Sequence, residues 1–500
     1  MPSASPGRPG RTARWEAGRG AAARYHRRMT DPNQLGNPGA TRIERDSMGE
    51  MAVPAEALYG ASTQRAVLNF PISGRPMPAG FIQALALIKR AAAETNAELG
   101  LLEPAMARAI VAAADEVAAG GHDDAFPIDI YQTGSGTSTN MNANEVIAHL
   151  ASARLGAPVH PNDHVNAGQS SNDAIPTAMQ LAAAIAIDRT LLPALERLHA
   201  SLTAKAAAFD SIVKTGRTHL QDATPIRLGQ EFAGYAGQVE ASIRRARTAL
   251  DELLSVPLGG TAVGTGINAP AGAAGKTCAR LASLTGLAVR ETDDHFHAQA
   301  TLDTVIAAHG ALRAIALSLW KIASDVRLMG MGPRAGIGEL ALPETQPGSS
   351  IMPGKVNPVI IESLTMVVAR VVGNDATIGF SQTGSLLELN VMMPVAAAAL
   401  IESIELLGAA AGNFAARAID GLQATERGPK LVEQGLMLAT ALAPVIGYDA
   451  AAKLAKEALG SGRTIRELAL ERGIPAADLD VLLDPDRMTR PGGGGGPAGG

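Results

Sequence analysis

The chain has 500 residues, of which 46% are hydrophobic, 18% charged and 3% aromatic, and its net charge is −5. That balance excludes a disordered or fibrous chain, and with no global basic field it gives no reason for recruitment to nucleic acid or to an anionic membrane. The single cysteine, Cys278, excludes an intramolecular disulfide framework and a thiolate metal cluster, and it points to a reducing, cytoplasmic setting.

Residues 1–40 read as a leader without a fold of its own. The first 28 carry Arg8, Arg11, Arg14, Arg19, Arg24, Arg27 and Arg28 against Glu16 alone, with scattered Pro and Gly and no apolar core. That pattern is not a secretory signal. It reads as upstream sequence ahead of a start at Met29, with an organelle transit peptide as the other reading. Residues 41–169 are expected to form an N-terminal, mainly helical domain. Tyr59–Gln64 reads as a polar turn, and helical patterns follow near Phe81–Leu102 and Ala105–Ala119.

From 170 to 426 the chain becomes a series of long Ala/Leu/Ile-rich segments with helical periodicity: Ala174–Phe209, Leu228–Leu253, Ala298–Leu328, Ile360–Gly379 and Pro394–Ala416. Helices of about 45 Å bury their apolar faces only against one another, so a central bundle of long helices, shared between subunits, is expected. Shorter patterns at Lys430–Leu442, Ala450–Leu459 and Thr464–Gly473 predict a small helical domain over 427–488, and the Gly-rich residues 489–500 a disordered tail. The most apolar stretch, Val391–Ala411, is broken by Glu402 and Glu405, so no segment is expected to span a membrane.

Three loops dense in Gly, Ser, Thr and Asn stand ahead of helices: Gln132–Asn144 before Glu145–Arg154, His160–Asp173 before Ala174, and Gly348–Pro358 before Val359. A helix N-terminus offers unpaired N–H groups and partial positive charge. One such loop reads as ordinary capping. Three of them, with one lysine, suit a small dianion. A fourth segment, Gly216–Glu231, places His219 in a polar turn before the helix from Leu228, and histidine is the side chain best matched to proton transfer near neutrality. Gly264-Thr-Gly-Ile-Asn-Ala269 mimics a dinucleotide fingerprint, but no βαβ unit surrounds it, and no phosphate-binding P-loop motif occurs. Asp293-Asp-His-Phe-His297 reads as a helix N-terminus with acidic first-turn residues rather than a metal site.

These blocks resemble a known family. Gly348–Pro358 reads GSSIMPGKVNP, which is similar to the signature loop of the fumarase/aspartase superfamily; QTGSGTSTNMN, HPNDHVN…QSSND and GRTHLQDATP resemble its other blocks in the same order. The likeness covers about residues 41–488, and within the superfamily the chain resembles class II fumarases. The resemblance implies a mostly α-helical, three-domain subunit that forms a homotetramer with active sites shared between subunits. It further implies a small dicarboxylate substrate, fumarate or L-malate, and no cofactor or metal.

By the same resemblance Ser349 is the carbanion-forming base, Lys355 and Asn357, with Ser350 beside them, hold the substrate carboxylate, and His219 serves the departing hydroxyl through a water. Thr218 lies beside that histidine, and Glu362 orients and charges it. Ser135, Thr137, Ser170, Ser171 and Asn172 match further substrate-binding positions, and His160, Asn162 and Asp163 match a secondary dicarboxylate site. Ser62, Ala167-Gly168, Val359–Ile361 and Ser385–Leu387 depart from the usual fumarase pattern, and Asn390–Pro394 leans towards aspartases. Aspartate ammonia-lyase is therefore the alternative activity. His219, where aspartases usually carry glutamine, favours the hydratase. A non-catalytic scaffold would not need Ser349, Lys355, Asn357 and His219 intact.

Overall fold

A computed structural model describes residues 40–492; the leader 1–39 and the end of the tail, 493–500, lie outside them. The described chain is mostly helical, as the alanine and leucine content predicts. It opens with an antiparallel hairpin, β1 (Thr41–Asp46) and β2 (Gly49–Pro54), followed by α1 (Ala61–Asn69), α2 (Ala79–Glu98), α3 (Pro104–Ala118) and α4 (Thr137–Leu155). Next come α5 (Ser171–Ala186), α6 (Leu192–Ala208), the hairpin β3 (Val213–Thr218) and β4 (Gln221–Arg227), and α7 (Leu228–Leu253). After them lie α8 (Ala273–Thr285), α9 (His295–Ala300), α10 (Asp303–Met329), α11 (Val359–Ser381) and α12 (Met393–Phe414).

Two local readings need correction. Tyr59–Gln64 is not a turn throughout, because α1 starts at Ala61; the Glu145 carboxylate, reaching from α4, accepts the N–H groups of Gly60, Ser62 and Thr63 at 2.9, 2.9 and 3.1 Å and so caps that helix. Ser62 serves there through its backbone, which is why serine fits. Likewise α4 starts at Thr137, eight residues before Glu145. Asparagine is a poor helix former because its amide competes for backbone partners. Here Asn140 and Asn142 are buried and donate to Asn166 Oδ1 and Ala125 O, so tertiary hydrogen bonds override the propensity.

The chain divides into two compact units. The first takes the described residues up to 183, with 253–303 and 377–401. Its core is the buried stripe of α2, with Phe81, Leu85, Ile88 and Ala92, set against Ile110, Ala113 and Val117 of α3 and Val146 and Ile147 of α4. The second takes residues 184–252 and 304–376 and the described residues from 402 onward. In it α10 buries Ala308, Leu312, Ile315, Leu319, Ile322 and Val326, the three- and four-residue spacing of a helix face. His309, fully buried on that face, has its Nδ1 2.9 Å from Asp375 Oδ1 of α11 and its Nε2 2.9 Å from Ser403 Oγ of α12. Beyond 427 a separate cluster of Leu438, Leu442, Leu454, Ile465, Leu468, Leu479 and Leu483 gives the short C-terminal helices their own core.

The charge count behind the membrane expectation does not by itself exclude a span. By length and composition alone, Ser171–Ala208, Asp303–Met329 and Met393–Ile419 are long and apolar enough to cross a membrane, and 61%, 44% and 61% of their apolar windows are buried within the protein. Hydropathy does not separate a bundle core from a span, since both are apolar on more than one face.

Candidate active site

In the first unit the polar blocks converge. Thr133 to Gly136 form a turn whose last residue, in the left-handed region (φ +70°), stands at the N-terminus of α4; a side chain there would press on Ile175. Ser135 Oγ lies 2.9 Å from Thr137 Oγ1, which lies 2.7 Å from Ser171 Oγ at the start of α5. Three of the expected substrate-binding hydroxyls thus form one chain across two helix N-termini. Asn172 N–H donates to Ser170 Oγ at 3.2 Å, and its amide is held by Ala262 O at 2.8 Å.

Behind this turn Asp173 is fully buried. It accepts N–H groups of Ser170 at 2.9 Å and of Gly259 and Thr261 at 3.0 Å each. Burial raises its carboxyl above the ordinary range, against the three amides and the nearby Lys89, which favour the ionised form. His160 caps a π-helical turn over Pro161–Val165: its Nδ1 accepts the N–H groups of Asn162 and Asp163 at 3.3 and 3.0 Å. That makes Nδ1 an acceptor, so the 3.2 Å approach of Asp163 Oδ2 is no ion pair while the ring is neutral. His160, Asn162 and Asp163 are therefore one exposed turn.

In the second unit His219 and Leu220 are the two central residues of the β3–β4 hairpin, both left-handed (φ 55° and 60°) and exposed. Such turns favour Asn-Gly, and a branched apolar residue there is strained. The hairpin base is clamped. Glu339 accepts from both terminal nitrogens of Arg217 at 3.0 and 2.8 Å and pairs with Lys214 Nζ at 3.2 Å, which also reaches Glu231 at 3.2 Å. Lys214 and Glu339 are nearly sealed from solvent. Thr218 is exposed at the hairpin's end.

The 348–358 loop closes on itself. Asn357 donates to Gly348 O, and a Cβ on Gly348 would stand 1.8 Å from Lys355 O, so that position takes only glycine. Ser349 is half-buried, and its Oγ receives the N–H groups of Ile351 at 3.3 Å and Met352 at 3.0 Å. Ser350 and Lys355 are exposed, as is Glu362 in the first turn of α11. Among the described residues His219 and Glu362 have no side-chain hydrogen bond or ion pair, with each other or with any other residue of the same chain.

Asp294 caps α9 through the His297 N–H at 3.1 Å, while His295 and His297 bond Glu291 and Asp303; the Asp293–His297 run is a helix start, with the acid at the cap rather than in the first turn.

The comparisons with known proteins decide the family. A family described as "Lyase" matches residues 49–373, and "Fumarase C C-terminus" matches 438–490. "Fumarate hydratase class II" of Methylorubrum extorquens is 51% identical over 464 residues, 91% of this chain and 98% of the relative. That of Corynebacterium efficiens is 53% identical over 89% and 95%. The chain belongs to the class II fumarate hydratase family. The crystal structure of the recombinant class II fumarase from Schistosoma mansoni matches with a TM-score of 0.89 at 39% identity, covering 91% of this chain and all of that one.

Several residues around these class II blocks escape a sequence reading. Lys89 is one; its only trace is a charge on the Leu85–Ile88–Ala92 stripe of α2. Glu339 is another, joined to Arg217 across 122 positions, and no local pattern announces such a pair.

Proposed function

We propose that the chain adds water reversibly and anti to fumarate, giving L-malate, through a carbanion held as an aci-carboxylate. The hydratase activity and its hydro-lyase class rest on relatives about half identical over nine-tenths of the chain. In the dehydration direction Ser349 takes the C3 proton. The electron pair moves into the adjacent carboxylate and then expels the C2 hydroxyl, which leaves as water with a proton relayed from His219 through a bound water. A serine is a poor base unless its alkoxide is favoured. The observation that supports this role is the pair of N–H groups aimed at Ser349 Oγ, which stabilise a charged oxygen. Lys355 and Asn357 bear on the aci-carboxylate, and cationic and amide donors placed where charge develops lower the barrier. The neutral donors Ser135, Thr137, Ser170, Ser171 and Asn172, with Thr218 and Ser350, hold the dicarboxylate, and His160, Asn162 and Asp163 form an outer dicarboxylate station.

The working form is a homotetramer in which each site draws on more than one chain. His219 and Glu362, solvent-facing and unpartnered in one chain, are expected to meet partners from neighbouring copies. Exposed Leu317 and Trp320 on α10 and Met366 and Val372 on α11 supply apolar faces for the shared bundle. Free, buried Cys278 suits a reducing cytoplasm.

Ultraviolet absorbance of fumarate formed from L-malate and, separately, from L-aspartate tests the reaction. Fumarate from malate alone is expected. Fumarate with ammonia from aspartate alone would replace the hydratase by an ammonia-lyase.

A further inference from the structure

The inner side of the 160–173 loop holds a charge that this reaction scheme does not use. Lys89 is fully buried, and its Nζ donates to Asn166 Oδ1 at 2.8 Å and to Gln169 Oε1 at 3.0 Å. Neither amide is free to turn away. Asn166 Nδ2 is engaged with Gln169 O at 3.3 Å, and Gln169 Nε2 with Val165 O at 3.2 Å and Ala167 O at 3.4 Å. Both side-chain oxygens therefore face inward; Asn166 Oδ1 has Asn140 as a second donor, and leaving Gln169 Oε1 without Nζ is costly. The segment they anchor runs directly into Ser170, Ser171 and Asn172, and Asp173 fixes the far end of that turn through the Ser170 N–H.

We infer that Lys89 is a positioning residue for the dicarboxylate: its ammonium holds Asn166 and Gln169, sets the Ser170–Asn172 turn, and keeps a sealed positive charge behind that turn which a bound dianion senses. The inference rests on the proposed role of the turn. The neighbouring elements leave that charge little competition. Asp173 is the carboxylate that bears on it. On its own helix Arg90 and Glu94 are engaged elsewhere, Arg90 with Asp115 of α3 and Glu94 with Arg280 of α8, while Glu98 takes Lys276 and Arg280. From α4 the contribution is the neutral Asn140.

Burial pulls Lys89 down to about 7, with Asp173 opposing. Near neutrality the site is thus a mixture of ammonium and amine, and a dianion on the turn favours the ammonium. Binding then takes up a proton, and affinity falls as pH rises through about 7.

The test uses the full chain. Succinate, a dicarboxylate with no leaving group, is titrated calorimetrically at neutral pH in two buffers of different ionisation heat, and kcat and KM for L-malate are followed across pH. The wild type is expected to take up a fraction of a proton per succinate, with KM rising above neutrality. Lys89→Met is expected to abolish the uptake and raise KM roughly ten-fold with no dependence on pH near neutrality, while kcat changes far less. In Gln169→Glu a carboxylate against Nζ keeps the ammonium charged, and the alkaline rise in KM moves to higher pH. Uptake that persists in Lys89→Met, or a loss of kcat at unchanged KM, overturns the inference. If Lys89→Met does not fold, an unmoved limb in Gln169→Glu overturns it alone. Lys89-dependent uptake without malate turnover would sink the hydratase reading and leave this one standing; turnover without uptake would do the reverse.

Discussion

At the scale of single residues, the proposed chemistry asks two side chains to act outside their resting habits. Ser349 has to exist in part as an alkoxide, and the two amides on its Oγ oppose the cost. Replacing it with alanine removes the base and leaves the donors of the first unit untouched. Ser349→Ala is expected to lower malate turnover by about 10²–10⁴-fold, the usual worth of a positioned base, while succinate still binds by calorimetry. Lost binding would assign the serine to the ground state instead. His219 sits in a left-handed turn that asparagine tolerates. His219→Asn is therefore expected to keep the circular dichroism and melting point of the parent while slowing dehydration by about 10²-fold; an unchanged rate would make the imidazole only a turn residue. The small polar residues of the proposed site stand out in the chain because so many of them, in three long loops, exceed what capping requires. Lys89 does not, because one lysine among apolar helix positions ordinarily lays its stem on the core and its head in water.

At the scale of elements, helix periodicity places Leu228–Leu253 residue for residue and Val359–Ser381 within a turn of its ends, whereas the Ala298–Leu328 segment is broken at Thr301–Leu302, between α9 and α10. What periodicity could not supply was support that arrives from far along the chain, such as the Glu145 cap on α1 or the asparagines that begin α4. The same holds for the hairpin of His219, whose base is fixed by Glu339. Neutralising that carboxylate leaves Lys214 buried with one acid fewer and frees Arg217. Glu339→Gln is expected to destabilise the fold by about 3–5 kcal/mol in urea titrations, the cost of breaking a buried ion pair from one side. It should also cut kcat more than KM, since the hairpin carries the proposed proton relay; equal parent-like stability and rate would show the clamp to be idle. The link from α10 to α11 and α12 through His309 has a pH signature. Burial holds its pKa below the ordinary value of 6.5, against the pull of Asp375, so the fold keeps the ring neutral. The unfolded chain then binds a proton first on acidification. This contribution is complete above about 6.5 and declines as pH falls towards the folded value. Urea midpoints are expected to drop on acidification through that window, and the drop should shrink in His309→Gln.

At the scale of the whole molecule, the two units each hold part of the proposed machinery, the hydroxyl chain in one and Ser349 and His219 in the other. If sites are shared among copies, two dead chains can rescue each other. Ser349→Ala and Ser171→Ala proteins, refolded together, are expected to regain malate turnover that neither shows when refolded alone; a mixture as inert as its parents would confine each site to one chain. The apolar helices of the bundle bear on the chain's birth as well as its assembly. Ser171–Ala208 leaves the ribosome well before Asp303–Met329, and Met393–Ile419 follows later still. For that interval a nascent chain shows the factors that sort membrane proteins a segment they cannot distinguish by hydropathy from a true span, and transiently bare apolar surface invites aggregation. The speed with which early helices find temporary cover, by folding back or by chaperone, then governs how much of each synthesised chain reaches the active assembly.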